Sequence, residues 1–183
     1  MAETAEHDQH KVTVEIGCGS GSRARPVPAG IGVGVDVDIN ALRTAVRSTA
    51  GWTFIGADGL ALPLRDNSCA DLRIQAVLHH LVPTATALGE LARVMQPSGV
   101  LTIRDGVALD ANEAAHLDDE LRQAGHPSEP VYGFDLDELA ELVRASGLDV
   151  EDIHMEGTAT WATPPFVSKP YTSERFHLTA RHP

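Results

Sequence analysis

A β-branched apolar run that ends in glycines at alternate positions, Val12-Thr-Val-Glu-Ile-Gly-Cys-Gly-Ser-Gly21, leaves this chain few ways to fold. Such a run reads as a strand buried on both faces, the kind found in parallel sheets, and glycines at its carboxyl end let a ligand lie against bare backbone. A second short run, Val33-Gly-Val-Asp36, closes on a carboxylate, where doubly wound sheets place the side chain that holds a ribose. The pair points to a nucleoside-containing cofactor. The glycine spacing is Gly-x-Gly-x-Gly rather than the Gly-x-Gly-x-x-Gly that docks a pyrophosphate on a helix N-terminus, and no Tyr-x-x-x-Lys pair follows, which disfavours a nicotinamide-dependent oxidoreductase. A glycine-rich turn with no ligand is the alternative.

The segment Glu15-Ile-Gly-Cys-Gly-Ser-Gly21 resembles the first motif of the class I S-adenosylmethionine-dependent methyltransferases. Three further segments continue that resemblance in order. They are Ala57-Asp58-Gly-Leu-Ala-Leu-Pro-Leu64 with Asp66 to Asp71, then Ala70 to Val82 with its His-His-Leu element, then Leu88 to Asp105. The resemblance covers about Val12 to Val150. It implies that Glu15, Gly17, Cys18, Gly19 and Gly21 form the cofactor loop and that Asp36 with Val37 takes the ribose of S-adenosyl-L-methionine. By the same resemblance Asp58, Gly59 and Leu60 lie at the adenine, with Gln75 also at the cofactor. A turn or helix cap is the other reading of Asp58, since Asp before Gly favours both.

Composition fits one globular domain spanning 1-183 with a short extension over 1-11: the chain has 183 residues, 43% of them hydrophobic. No apolar run approaches the roughly 18 residues of a membrane span, and the polar start lacks a signal-peptide core, so the expectation is a cytoplasmic protein. Net charge is −12 and the only lysines are Lys11 and Lys169, which disfavours nucleic acid as a partner. Cys18 and Cys69 make neither a disulfide framework nor a Cys-x-x-Cys metal site, and Cys18 reads as a small filler beside the glycines. Adjacent His79 and His80 point in different directions, so no metal site is expected.

Hydrophobic periodicity predicts strands at Val12 to Ile16, Ile31 to Val35, Thr53 to Ile55, Leu72 to Gln75, Val100 to Ile103, Val150 to His154 and Phe176 to Thr179. Helices are predicted at Asn40 to Thr49, Ala85 to Met95, Ala111 to Ala124 and Leu136 to Ser146, the last with Asp135 and Glu138 as a capping pair and Gly147 as its stop. Pro97-Ser-Gly99 is predicted to be a turn. The alternation implies a doubly wound α/β, Rossmann-like sandwich with a mostly parallel sheet, its last strand antiparallel by the resemblance.

Three segments depart from the family pattern. Pro26 and Pro28 leave no room for a regular helix between Gly21 and Asp36, and the stretch before Val12 is short for a helical cap over the substrate, so an open active site is expected. The stretch Gly157 to Thr172, with Trp161, Phe166 and Tyr171, reads as a long proline-stiffened loop that either walls the substrate or pins itself to the sheet or to an oligomer partner. His79 or His80 past the fourth strand, and Asp105 past the fifth, are the candidates for catalysis, with a histidine as the natural base. The function expected is methyl transfer to a small molecule or to an exposed group of a larger acceptor. The competing reading is a cofactor-binding subunit that transfers no methyl until a partner, or a second copy, completes its open face.

Overall fold

A computed structural model describes residues 11–21, 27, 30–126, 132–162 and 167–183. Seven strands form one sheet: β1 (Val12–Ile16), β2 (Ile31–Asp36), β3 (Trp52–Gly56), β4 (Cys69–Gln75), β5 (Met95–Gly106), β6 (Asp149–Ala162) and β7 (Tyr171–Arg181). Four helices connect them: α1 (Ile39–Ser48), α2 (Thr84–Val94), α3 (Ala111–Gln123) and α4 (Leu136–Ala145). The strand order is β3-β2-β1-β4-β5-β7-β6, parallel from β3 to β5, with β7 antiparallel to both β5 and β6. The chain therefore winds outward from β1 in both directions, and β1 beside β4 is the point where it reverses.

Strand periodicity decides what each face carries. Val14, Ile16, Val33, Val35, Leu72, Ile74, Leu101, Ile103, Phe176 and Leu178 belong to one buried cluster with Leu88 and Leu91 of α2 and Leu139 and Val143 of α4. Residues one step out of phase, such as Arg73, Thr102 and His177, are only partly buried on the opposite face. Leu42 and Ala45 of α1 are buried yet lie outside that cluster, as a right-handed β2–α1–β3 crossover requires. Asp38 caps α1 by accepting from the Asn40 and Ala41 amides, and Asp135 caps α4 by accepting from Asp137 and Glu138.

Every predicted strand and helix is present, with two corrections of extent. The Pro97-Ser-Gly99 turn is an irregularity inside β5: Met95 pairs with Cys69, the next register pair is Val100 with Asp71, and Ser98 takes φ 63°. More consequentially, the stretch read as a long loop from Gly157 to Thr172 is mostly strand, since β6 runs to Ala162 and β7 starts at Tyr171. Alternating Thr and Ala with an aromatic suit a pleated surface, and antiparallel pairing extends the ribbon beyond what the hydrophobic pattern marks. Tyr171 is accordingly core: it packs with Leu109, Leu117 and Val167 in a second buried cluster under α3, so it walls no substrate site. Phe166, Pro26 and Pro28 lie outside the described residues, as does the segment before Lys11. No described helix is long and apolar enough to cross a membrane.

One ion-pair hub on α2 holds the connection between β3 and β4. Glu90 accepts from the Leu62 amide at 2.7 Å, while Arg93 donates to Glu90, to Asp66 at 2.5 Å and to the Leu62 and Leu64 carbonyls. The Arg93 hydrogen bond holds the Glu90 carboxyl below its ordinary pKa, against the opposing effect of burial. Arg93→Ala should cost about 1–2 kcal/mol, the lower part of the range for hydrogen bonds to charged groups because the side chain is one-third exposed. Urea unfolding measures it. A lowered native pKa contributes stability above the unfolded carboxyl value of about 4.3 and loses it as pH falls through the native value. Glu90→Gln should therefore flatten the acid limb of the stability curve, and an unchanged limb in the variant would refute the coupling.

Candidate active site

The carboxyl ends of β1, β2, β4 and β5 converge at the reversal point. At the end of β1, Gly17 turns at φ 65°, and its amide and that of Cys18 both donate to the Val35 carbonyl, at 2.8 and 3.1 Å. Gly19 then donates its N–H to Asp36 Oδ2 at 2.7 Å, and Asp36 Oδ1 accepts from the Asp38 amide at 2.9 Å. One carboxylate thus fastens the glycine loop to the end of β2 and to the start of α1. A Cβ on Gly17 would lie 2.3 Å from Val77, whereas a Cβ on Gly19 would meet nothing within 4 Å. Gly17 serves the packing of the loop; Gly19 faces open space.

Cys18 is buried, its sulfur filling the space over Gly34. Burial first, then the charges of Asp36 and Glu15, push its thiol up to about 12, so it stays protonated and is no nucleophile. Glu15 is itself buried on the polar face of β1. Gly21 packs against Thr49 and Ala45 of α1, which places it behind the loop rather than at its open edge. Asp58 closes a turn by accepting from the Leu60 amide at 2.9 Å, and Gly59 lies buried against Leu81 and Ile16. Ile16, Gly17, Val35, Asp36, Val37, Ala57, Gly59, Val77, His80 and Leu81 line a cleft of 210 Å³. Its walls are apolar, with one carboxylate at the rim. Bare glycine backbone, an apolar slot and a rim carboxylate fit a nucleoside with a short polar tail.

The two histidine rings stay in contact, their centroids 4.1 Å apart, yet each lines a different cavity. A single 3₁₀ turn over Leu78–His80 sends His80 to the 210 Å³ cleft and His79 into a second cavity of 290 Å³. His79 Nδ1 lies 2.8 and 3.0 Å from the two oxygens of Asp105, and the side chains are 9% and 1% exposed. Asp105 also accepts from the His79 amide at 3.3 Å and from the Gly106 amide at 2.9 Å. A carboxylate that only accepts at Nδ1 keeps the ring proton there and leaves Nε2 as the acceptor. Trp161 stands edge-on to His79 at 5.1 Å and donates its Nε1–H to Ser173, so this aromatic, unlike Tyr171, does wall the cavity. Gln75 lines the same cavity rather than the glycine cleft.

Sequence reasoning missed Ala76, Thr158, Thr160 and Arg175 of this cavity. Ala76 at φ 52° is an uncommon conformation for a residue with a Cβ, a conformation that no sequence motif marks. From sequence alone Thr158 and Thr160 read as loop residues, because the ribbon pairing that orients them is not local. A larger cavity of 460 Å³ lies at the opposite end of the sheet, around Lys11, Asp71, Arg73 and Arg181. Volume favours it, but open α/β sheets hold ligands at strand carboxyl ends, where all of the chemistry above is gathered. Among the described residues no three His, Cys, Asp or Glu side chains converge as a metal site would need.

Residues 14–103 match the family model described as a methyltransferase domain. Among solved structures, a Bacillus halodurans C-125 protein provisionally assigned as a methyltransferase shares 15% identity, covers 96% of this chain and 94% of its own, and has a TM-score of 0.74. An S-adenosylmethionine-dependent methyltransferase of Methanosarcina mazei shares 16% identity over 95% of this chain and 93% of its own, at a TM-score of 0.72. A chain from the complex of the Haloferax volcanii Trm112 methyltransferase activator with its methyltransferase partner shares 18% identity, covers 94% and 82%, and also scores 0.72. Residues 14–103 are thus a methyltransferase domain, and the chain as a whole has the fold of the class I S-adenosylmethionine-dependent methyltransferases.

The contrast between two glycines is directly measurable. Gly17→Ala adds a contact 2.3 Å from Val77 to the left-handed penalty, whereas Gly19→Ala carries that penalty alone, about 1–2 kcal/mol. Urea midpoints should place Gly17→Ala at least about 1 kcal/mol below Gly19→Ala. Equal stabilities would mean that Val77 yields at no cost.

Proposed function

We propose that this chain is an active methyltransferase acting on a small molecule, and that the acceptor sits in the 290 Å³ cavity beside His79. The observation that carries this reading is the buried His79–Asp105 pair, with Nε2 making no hydrogen bond among the described residues and the His80 ring of the glycine-loop cleft 4.1 Å from the His79 ring. When bound, S-adenosylmethionine supplies a methyl group on an electrophilic sulfonium. The chain's own part is to place and to deprotonate. Asp36 and Gly19 hold the ribose end, with Gly17, Glu15 and Val37 around it, while Asp58, Gly59 and Leu60 take the adenine. Gln75 lines the acceptor cavity and His80 the cofactor cleft. His79 Nε2 takes the proton of the acceptor's O–H or N–H group, Asp105 stabilises the imidazolium that results, and the proton then passes to solvent.

A net charge of −12 and a small cavity support a small-molecule acceptor over a nucleic acid. The second reading, a binding subunit completed by a partner, draws support from the Haloferax volcanii complex, in which an activator accompanies a chain of the same fold. The buried dyad favours catalysis, because a pure binder has no need for an oriented base beside its cofactor cleft.

Asp36→Ala should weaken S-adenosylhomocysteine at least tenfold by calorimetry, since each charge-assisted hydrogen bond contributes roughly 1.5–3 kcal/mol. Asp36→Asn keeps an acceptor for the Gly19 amide, so a loss in this variant too assigns the effect to ribose rather than to the loop. Unaltered affinity in both sinks the ribose assignment.

His79→Gln removes the base while leaving the cofactor cleft alone. Methyl transfer to an acceptor identified from a panel of small phenols, alcohols and amines should fall by about 10²–10⁴-fold, with S-adenosylhomocysteine affinity unchanged. Asp105→Asn should move in the same direction by offering a donor to Nδ1 and reversing the tautomer. Full activity in His79→Gln would leave positioning as the only contribution of this site.

A further inference from the structure

The wall of the 290 Å³ cavity opposite His79 comes from the β6–β7 ribbon, and the ribbon is broken there. Met155 pairs with Phe176 and Thr158 with Glu174, so Glu156 and Gly157 together face Arg175 across a bulge, with Gly157 at φ 78°. Bulges beside active sites commonly re-aim a side chain. Here the bulge also grips it, because Arg175 Nε donates to the Glu156 carbonyl at 3.0 Å. That bond holds the guanidinium plane and, among the described residues, leaves the Nη end without a hydrogen bond at the cavity lining.

Charge bookkeeping around the cavity isolates this group. Asp105 is saturated by His79 and by two backbone amides, and Arg104, in the neighbouring strand, is paired with Glu156 at 3.0 Å. Among the described residues Arg175 has no carboxylate partner, in a chain where acidic residues outnumber Lys and Arg 26 to 14. A half-buried guanidinium with its fork open is a site for a planar oxyanion. Thr158 and Thr160 add hydroxyls along the same wall, and Trp161 adds a flat apolar face.

On the reading that His79 is the base, we propose that the acceptor is a small carboxylate-bearing hydroxy compound, its carboxylate held by the Arg175 fork and its hydroxyl presented to His79 Nε2. The bulge at Glu156 and Gly157 sets which acceptors enter, and the dyad sets where they react.

The probes are 4-hydroxybenzoate and its neutral isostere 4-hydroxybenzamide, titrated by calorimetry into the full chain saturated with S-adenosylhomocysteine. The carboxylate should bind at least tenfold more tightly than the amide. Arg175→Gln should bring the two within about twofold, Arg175→Lys should restore part of the preference, and both variants should bind S-adenosylhomocysteine as the native chain does, which also shows that they are folded. The proposal is overturned if neither probe binds, if both bind equally, or if Arg175→Gln keeps the preference. A parallel loss of S-adenosylhomocysteine in Arg175→Gln would also overturn it, by giving the fork to the cofactor's own carboxylate. If the native chain binds no S-adenosylhomocysteine, the cofactor reading fails first and this assignment with it, an outcome distinct from the others.

Discussion

The carboxylate of Asp36 is the point on which the site depends. Its two oxygens accept from Gly19 and from Asp38, so a single side chain ties the glycine loop after β1 to the helix that follows β2. Those are charge-assisted bonds to backbone donors, and they hold a loop whose own residues have few side chains to hold it with. Val35 reinforces the arrangement by accepting both Gly17 and Cys18 amides. The same constraint explains why Cys18 is inert: its thiol is buried within reach of two carboxylates, and a thiolate there would face both.

The rest of the cleft is assembled from elements distant in sequence. Ala57 and Gly59 lie in a connection with no regular structure, and it is α2, through Glu90 and Arg93, that holds this connection against the sheet. Val77 then closes on Gly17 so tightly that no Cβ fits between them. A wall built this way is stiff where it contacts the backbone and open where Gly19 faces outward.

Residues 76 to 81 contribute to the linings of both cavities. One turn of 3₁₀ helix places the His79 and His80 rings side by side, 4.1 Å between centroids, and the Asp105 carboxylate distinguishes them by hydrogen bonding to His79 Nδ1. The far wall belongs to a ribbon whose pairing is interrupted at Glu156 and Gly157. A regular ribbon would alternate its side chains strictly between faces, and the extra residue is what lets Arg175 be gripped by a carbonyl while lining the cavity.

The amino-acid sequence by itself determined the sheet, the helices and the glycine loop, because each is written in local pattern: β-branched runs, helical periodicity, an Asp before α1, α3 and α4, and glycines at alternate positions. It also marked Asp36, His79 and Asp105, since each lies at the end of a recognisable strand. It misjudged the stretch from Gly157 to Thr172, where strand character comes from pairing rather than from alternation of polarity, and so it took buried Tyr171 for a loop aromatic and passed over Thr158, Thr160 and Arg175. Nor could it tell which of two adjacent histidines turns toward Asp105. That choice depends on a partner 26 residues away on a neighbouring strand, and only the register of β4 against β5 brings the two within 2.8 Å. Local periodicity encodes which face a residue occupies, whereas contact across strands is set by how the sheet closes, and that is a property of the tertiary structure alone.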